Sequence, residues 1–364
     1  MAKIEFEDLS EWAWAIRELP SSIEALYTDQ NLILAGDKEG NIACWSSDGE
    51  LIWKQSVGSR VENFVLTKSS ENANLFLVSG LEICGLNSLT GDIVWKAELE
   101  GISDWVTVDE KYQQVIVTSS VFDIEYHDFI EGSCWRFSFD GELLDSYKMD
   151  EKAWHLYSDE ENVILGLGRP RNGILRVKKD KYEHLELEDS PICCGYKNIL
   201  GHSNGVISIF SKGKVKSQKI SDSAISAINV QDNSILISDQ SKKLFYRDKG
   251  DTLWEYQAPE ILSLLNGVKS TELNLTFTST RTDNGSKLFL LNSENGNLIF
   301  NSDSENSIRT TSSNENMLLL GMDTGKILIL EMDLLLRRLN QKNDGGEIDE
   351  SRKKMLEKLR KLRK

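Results

Sequence analysis

The chain has 364 residues, with 42 Lys and Arg against 58 Asp and Glu, and its net charge of −16 argues against a body built to bind nucleic acid. Forty per cent hydrophobic residues with nine Trp and 12 Phe exclude an unfolded chain, and four Pro beside 25 Gly exclude collagen-like or proline-rich ones. Five Cys, an odd number in a chain this long, exclude a disulfide framework and point to a reducing compartment.

In chain order, residues Met1 to Ser10 contain no apolar stretch of the length a secretory signal needs, and no 18-residue apolar run follows. The expectation is a cytoplasmic protein without an integral membrane segment. Length alone, at about 150 residues per domain, would suggest two or three domains, but internal repeats override that prior. They announce themselves through a turn glycine followed four residues later by a bulky group: Gly49 leads to Trp53, Gly91 to Trp95, Gly250 to Trp254 and Gly296 to Phe300. Gly141 and Gly213 keep the phase without the aromatic. A glycine before a β-rich run suits a tight hairpin, and the bulky residue then lands at a fixed depth on the next strand.

Seven to nine residues beyond the aromatic an apolar residue opens a new strand, which places repeat starts at Ile23, Val61, Ile102, Trp154, Ile192, Ile225, Ile261 and Ile308. Spacings of 33 to 52 residues bracket four-stranded propeller blades. Within the repeats, short β-branched or aromatic runs supply second strands (Leu32 to Ala35, Leu75 to Val78, Val115 to Val117, Val163 to Leu165, Asn198 to Leu200, Ile235 to Ile237, Leu275 to Phe277, Leu318 to Leu320) and then third strands such as Ile42 to Trp45 and Ile327 to Leu330. The eighth repeat stops after its third strand. Ser10 to Trp14 has the glycine-to-Trp offset, with Ser in the glycine slot, and is expected to close the ring as the missing strand. The fold expected is all-β: an eight-bladed β-propeller over 1–331, closed by the N-terminal strand, with a helical tail over 332–364.

Links between second and third strands swell at Ser119 to Gly132, Gly168 to Gly173 and Ser279 to Ser286, all on the face that carries the blade-to-blade links. The first of these mixes Phe122, Tyr126 and Phe129 with carboxylates, the composition of an interface anchor. The tail carries 11 basic and six acidic residues, net +5, leaving about −21 on the body. Two helical pieces, Met332 to Lys342 and Ile348 to Lys364, flank Gly345-Gly346; in the second, Met355, Leu359 and Leu362 share a face surrounded by Arg352, Lys353, Lys354 and Lys358. So short a helix is marginal alone and wants a partner surface.

The ending Gly85-Leu86-Asn87-Ser88-Leu89-Thr90-Gly91-Asp92-Ile93-Val94-Trp95 resembles the repeat of quinoprotein-type, or PQQ-like, β-propellers, with a weaker copy at Leu290 to Phe300. WD-type repeats are the nearest competitor, but Gly201-His202 has no matching Trp-Asp. The resemblance implies an eight-bladed ring and, for the family's enzymes, pyrroloquinoline quinone with calcium and a vicinal disulfide. Cys193-Cys194 stands where such a pair would be weighed; it is expected to be two buried thiols in a core strand. His127, His155, His184 and His202 fall in different repeats without metal spacing, and Gly201-His202-Ser203-Asn204-Gly205 is followed by a strand rather than the helix a nucleophile elbow requires. No cofactor and no catalytic residue is expected. The leading expectation is a non-catalytic scaffold that binds protein partners through Phe122, Tyr126, Phe129 and the tail. The alternatives are a quinoprotein-like oxidoreductase or small-ligand sensor, and a nucleic-acid or ribosome-associated factor anchored by the tail alone.

Overall fold

Every repeat folds into a four-stranded antiparallel sheet, and eight such sheets are present. The computed structural model describes residues 9–187, 190–258, 261–283 and 285–343. Inner strands begin at Ile23, Val61, Ile102, Ile192, Ile225, Ile261 and Ile308, as the repeat phase predicts, and at Ala153, one residue before Trp154. Blades 1 to 7 are continuous in sequence. Blade 8 pairs Ile308–Ser313, Met317–Met322 and Lys326–Glu331 with an outer strand from the N-terminus, Ala15–Glu18.

That closure lies slightly later than the aromatic pattern predicts. Leu9–Trp12 is a 3-10 turn, and Trp14 only starts the pairing by donating its amide to the Ile329 carbonyl at 2.7 Å. The physical reason is packing: Trp12 turns inward onto Phe300 of blade 7, with ring centroids 5.2 Å apart, so the chain straightens into a strand only after it.

The apolar core sits between the blades rather than within them. Leu34, Ile42 and Trp53 of blade 1 meet Val61, Leu75 and Leu77 of blade 2; the same arrangement recurs round the ring, down to Ile23 and Ile33 against Ile327 and Ile329 where blade 8 meets blade 1. Successive side chains of a strand point to opposite faces, so the middle strands, buried on both, read as continuous apolar runs. Burying each such side chain contributes about 1.5–3 kcal/mol.

Helix α1 (Met332–Asn343) follows the third strand of blade 8. Glu331 caps it, its carboxylate accepting the amides of Asp333 at 3.2 Å and Leu334 at 2.7 Å. Met332, Leu335 and Leu339 enter the core shared by blades 7 and 8, beside Leu9, Trp12 and Phe300, and Arg338 donates to the Trp12 carbonyl at 3.1 Å. The N-terminal turn and α1 together occupy the place of blade 8's turn between third and fourth strands.

Alternating strand directions put the first-to-second and third-to-fourth turns on one face of the ring, which therefore also carries α1. Second-to-third turns and blade-to-blade links lie on the other.

Candidate interaction surface

The aromatic that ends a blade has a packing task. A Cβ at Gly91 would stand 2.5 Å from Trp53 Cε3, and the Trp53 indole donates to the Ser88 carbonyl at 2.8 Å. Gly91 has φ +77°, which glycine takes without strain. The outer strand of one blade is thereby clamped onto the turn of the next, and Trp95 on the turn of Gly141 and Trp254 on that of Gly296 repeat the contact. At the closure the clamp is Arg17 rather than Trp14: its guanidinium covers Gly49 and donates to the Gly49 carbonyl at 2.5 Å. Tryptophan spacing therefore finds three clamps and misses the fourth, because a planar guanidinium can replace an indole on a glycine turn.

A second repeated device shapes the channel mouth. Each inner strand carries a register shift just after its start, for example between Ile23 and Ala25, Val61 and Asn63, Ser103 and Trp105, and Ile192 and Cys194. The extra residues include Glu24, Glu62 and Asp104 in consecutive blades. Arg60 binds Glu24 at 3.0 Å and Glu62 at 3.2 Å, and Lys152 pairs with Asp104. Burial raises the Glu62 and Asp104 carboxyls above their ordinary range, with Arg60 and Lys152 respectively opposing it. No sequence motif marks these carboxylates, because they are brought together only by ring geometry.

The long links are hairpins, not loops. Gln114–Asp123 and Asp128–Ser138 continue as paired strands past the rim, leaving only 124–127 as turn, and Asn274–Thr282 with Gly285–Asn292 do the same in blade 7. Strand-forming residues such as Val121, Phe122, Phe129 and Ile130 extend the ladder where a loop was expected; Gly168 to Gly173 does remain a turn. At the blade 3 hairpin, Ile124 and Tyr126 are 78% and 76% exposed and Phe122 44%. Phe129 is half-buried: it meets Phe122 edge-on at 5.2 Å and Trp154 at 6.1 Å, with the Lys152 ammonium 4.2 Å from its centroid. The hairpin root is thus pinned to blade 4 while its tip is free. Val121, Ile130, Ile102 and Trp154 add exposed apolar surface nearby. Arg352, Lys353, Lys354, Met355, Lys358, Leu359 and Leu362 lie outside the described residues.

Three of the four histidines are engaged in structure, whereas His127 stands exposed in the blade 3 turn. His202 sits between the Ser190 carbonyl at 2.7 Å and Ser208 Oγ at 2.8 Å, and 203–205 is the hairpin turn its context predicts. His155 contacts the Lys197 carbonyl at 2.8 Å, and burial lowers its pKa; His184 contacts the Asn172 carbonyl at 2.7 Å. No group of three or more His, Cys, Asp or Glu among the described residues could hold a metal ion. Cys193 and Cys194 are free thiols, only partly buried; Cys193 donates to the Ile225 carbonyl at 3.0 Å. A hydrogen bond between the two sulfurs makes Cys193 the more acidic of the pair. No helix among the described residues is long and apolar enough to cross a membrane.

The family described as outer membrane protein assembly factor BamB matches residues 10–122, which include the blade-ending glycine turns of Gly49 and Gly91. The chain is an eight-bladed β-propeller, and over that segment it is similar to the PQQ-repeat type. No curated protein matches it. Among solved structures, Sqt1 of Saccharomyces cerevisiae is similar over 88% of this chain and 99% of its own at 12% identity, TM-score 0.66. BamB of Moraxella catarrhalis is similar over 87% and 96% at 11% identity, TM-score 0.64, and the computationally designed Ika8 protein over 87% and 98% at 15% identity, TM-score 0.65. At such identities the likeness is one of fold.

Proposed function

We propose that the chain is a non-catalytic scaffold that docks a protein partner on the blade 3 hairpin. One observation carries this reading: Ile124 and Tyr126 stand almost fully in solvent on a two-stranded extension whose root is fastened by Phe129, Trp154 and Lys152. Isolated exposed apolar residues are ordinary, but a contiguous set held out on a rigid arm marks an interaction site. Long connections on a stiff scaffold commonly carry binding. The description of the matched family as an assembly factor agrees with such a role. The basic tail, through Met355, Leu359 and Leu362 with Arg352, Lys353, Lys354 and Lys358, is the second contact.

The test is a photo-crosslinking residue placed at His127, exposed in the same turn, and, as a control on the opposite face, at Asp140, in the native cell. Partners joined at His127 but not at Asp140, and lost when Ile124→Ser and Tyr126→Ser are introduced beside it, support docking. Equal crosslinking from both faces rejects it. A quinone or calcium ion retained by the purified chain would instead favour an oxidoreductase, and salt-sensitive RNA binding lost with residues 348–364 would favour a nucleic-acid factor.

A further inference from the structure

The chemistry of the partner can be read from the same hairpin. Between Ser119 and Gly132 there are four carboxylates, Asp123, Glu125, Asp128 and Glu131, and no Lys or Arg. Asp123 and Asp128 stand directly opposite each other across the ladder, an arrangement in which like charges repel. Part of this is explained by the turn: Asp123 Oδ1 accepts the amides of Glu125 at 2.7 Å and Tyr126 at 3.1 Å. Asparagine would accept the same bonds without the charge. No salt bridge among the described residues involves any of the four, and Lys148, which feels Glu131, is already bound to Glu100 at 2.8 Å.

At the hairpin root the molecule has brought a cation to the same kind of surface. The Lys152 ammonium lies 4.2 Å from the Phe129 centroid and 5.7 Å from that of Trp154, paired with Asp104, whose side chain is 6% exposed. Aromatic faces and a carboxylate together hold an ammonium well. The tip repeats the ingredients, with Phe122, Tyr126 and unpaired carboxylates, and lacks the cation.

We propose that the segment docking on this hairpin is basic and amphipathic, with bulky apolar residues seated on Phe122, Ile124 and Tyr126 and lysine or arginine against Asp123, Glu125, Asp128 and Glu131. This rests on the reading of the hairpin as a docking surface. Apolar contact gives the complex its persistence, and the charges select a basic partner over an acidic one.

The test uses the full chain and two labelled amphipathic peptides of equal length, one of Lys and Leu, the other of Glu and Leu, followed by fluorescence anisotropy. At about 150 mM salt, where remote charges are screened, the Lys/Leu peptide should bind at least about tenfold tighter than the Glu/Leu peptide. Neutralising the hairpin with Asp123→Asn, Glu125→Gln, Asp128→Asn and Glu131→Gln should remove most of that preference, about tenfold in affinity, because four close ion pairs are lost. The control carries the same charge change on the opposite face, Asp48→Asn, Asp140→Asn, Asp180→Asn and Asp232→Asn, and should shift affinity less than about twofold. Equal binding of both peptides, or equal losses in both quadruple variants, overturns the proposal. Melting curves confirm that each variant is folded. If the crosslinked cellular partner still depends on Ile124 and Tyr126 while the charge variants have no effect, docking stands and basic chemistry falls. If Ile124→Ser with Tyr126→Ser leaves crosslinking intact, the docking reading itself fails.

Discussion

Gly91 and Trp53 show how one residue's absence of a side chain serves another's bulk. Gly91→Ala forces a Cβ within 2.5 Å of the indole at φ +77° and should cost about 2–4 kcal/mol. Trp53→Ala alone should cost about 3–5 kcal/mol. In the double variant the clash has no target, so denaturant unfolding should give a total smaller than the sum by about 1–3 kcal/mol; strict additivity would mean that the two do not touch energetically. Glu151 gives a pH signature. It is 1% exposed, its Oε1 has no hydrogen-bond partner among the described residues, and burial raises its carboxyl above the usual range despite the Arg171 and Asn172 amides and the His184 and Arg171 charges. A raised folded pKa contributes stability that is present below the unfolded value, about 4.5, and lost as pH rises through the folded value. Glu151→Gln should therefore raise the melting temperature at pH 7, and the gain should shrink toward zero near pH 4. A gain that is constant with pH would place the effect elsewhere.

At the scale of the element, α1 is the instructive case. It has too few turns to be stable by itself, and it is held by Met332, Leu335 and Leu339 in the core of blades 7 and 8 and by Arg338 on the Trp12 carbonyl. Ending the chain after Glu331 should lower the melting temperature by several degrees relative to ending it after Asn343, through three lost apolar side chains. Calorimetry of the two truncations separates them; equal effects would deny α1 its part in the core. The blade 3 hairpin is the opposite kind of element. Its tip contributes exposed surface rather than packing, so Ile124→Ser with Tyr126→Ser should change stability by no more than about 0.5 kcal/mol, while Phe129→Ala, which empties the contact among Phe122, Trp154 and Lys152, should loosen the arm and cost more.

The ring as a whole depends on four residues of strand. Ala15 to Glu18 pair with Ile329 to Lys326, and Arg17 and Trp12 fasten that strand to blades 1 and 7. Deleting residues 1–19 removes the pairing, uncovers the Lys326–Glu331 strand as an open edge and leaves Phe300 without its cover. An unpaired edge templates association, so the truncated chain should melt earlier and aggregate on concentration, checked by scanning calorimetry with light scattering. An unchanged melting temperature would show that the ring closes without this segment.

Repeat starts, blade number and the identity of the closing segment were legible in the sequence because they depend on local signals: glycine turns at a fixed phase, β-branched runs and the shortfall of one strand in the last repeat. The reading of Phe122, Tyr126 and Phe129 as one aromatic-rich insertion came from composition. Their division into an exposed tip and a half-buried anchor came only from the packing of Phe129 on Trp154, which is 25 residues away in sequence. The Arg17 clamp, the carboxylates of Glu24, Glu62 and Asp104 at the channel mouth, and the extension of loops into ladders were likewise decided by tertiary structure. Each depends on which residues a closed ring brings side by side. Periodicity encodes how a strand alternates, but not which strand of another blade it will face.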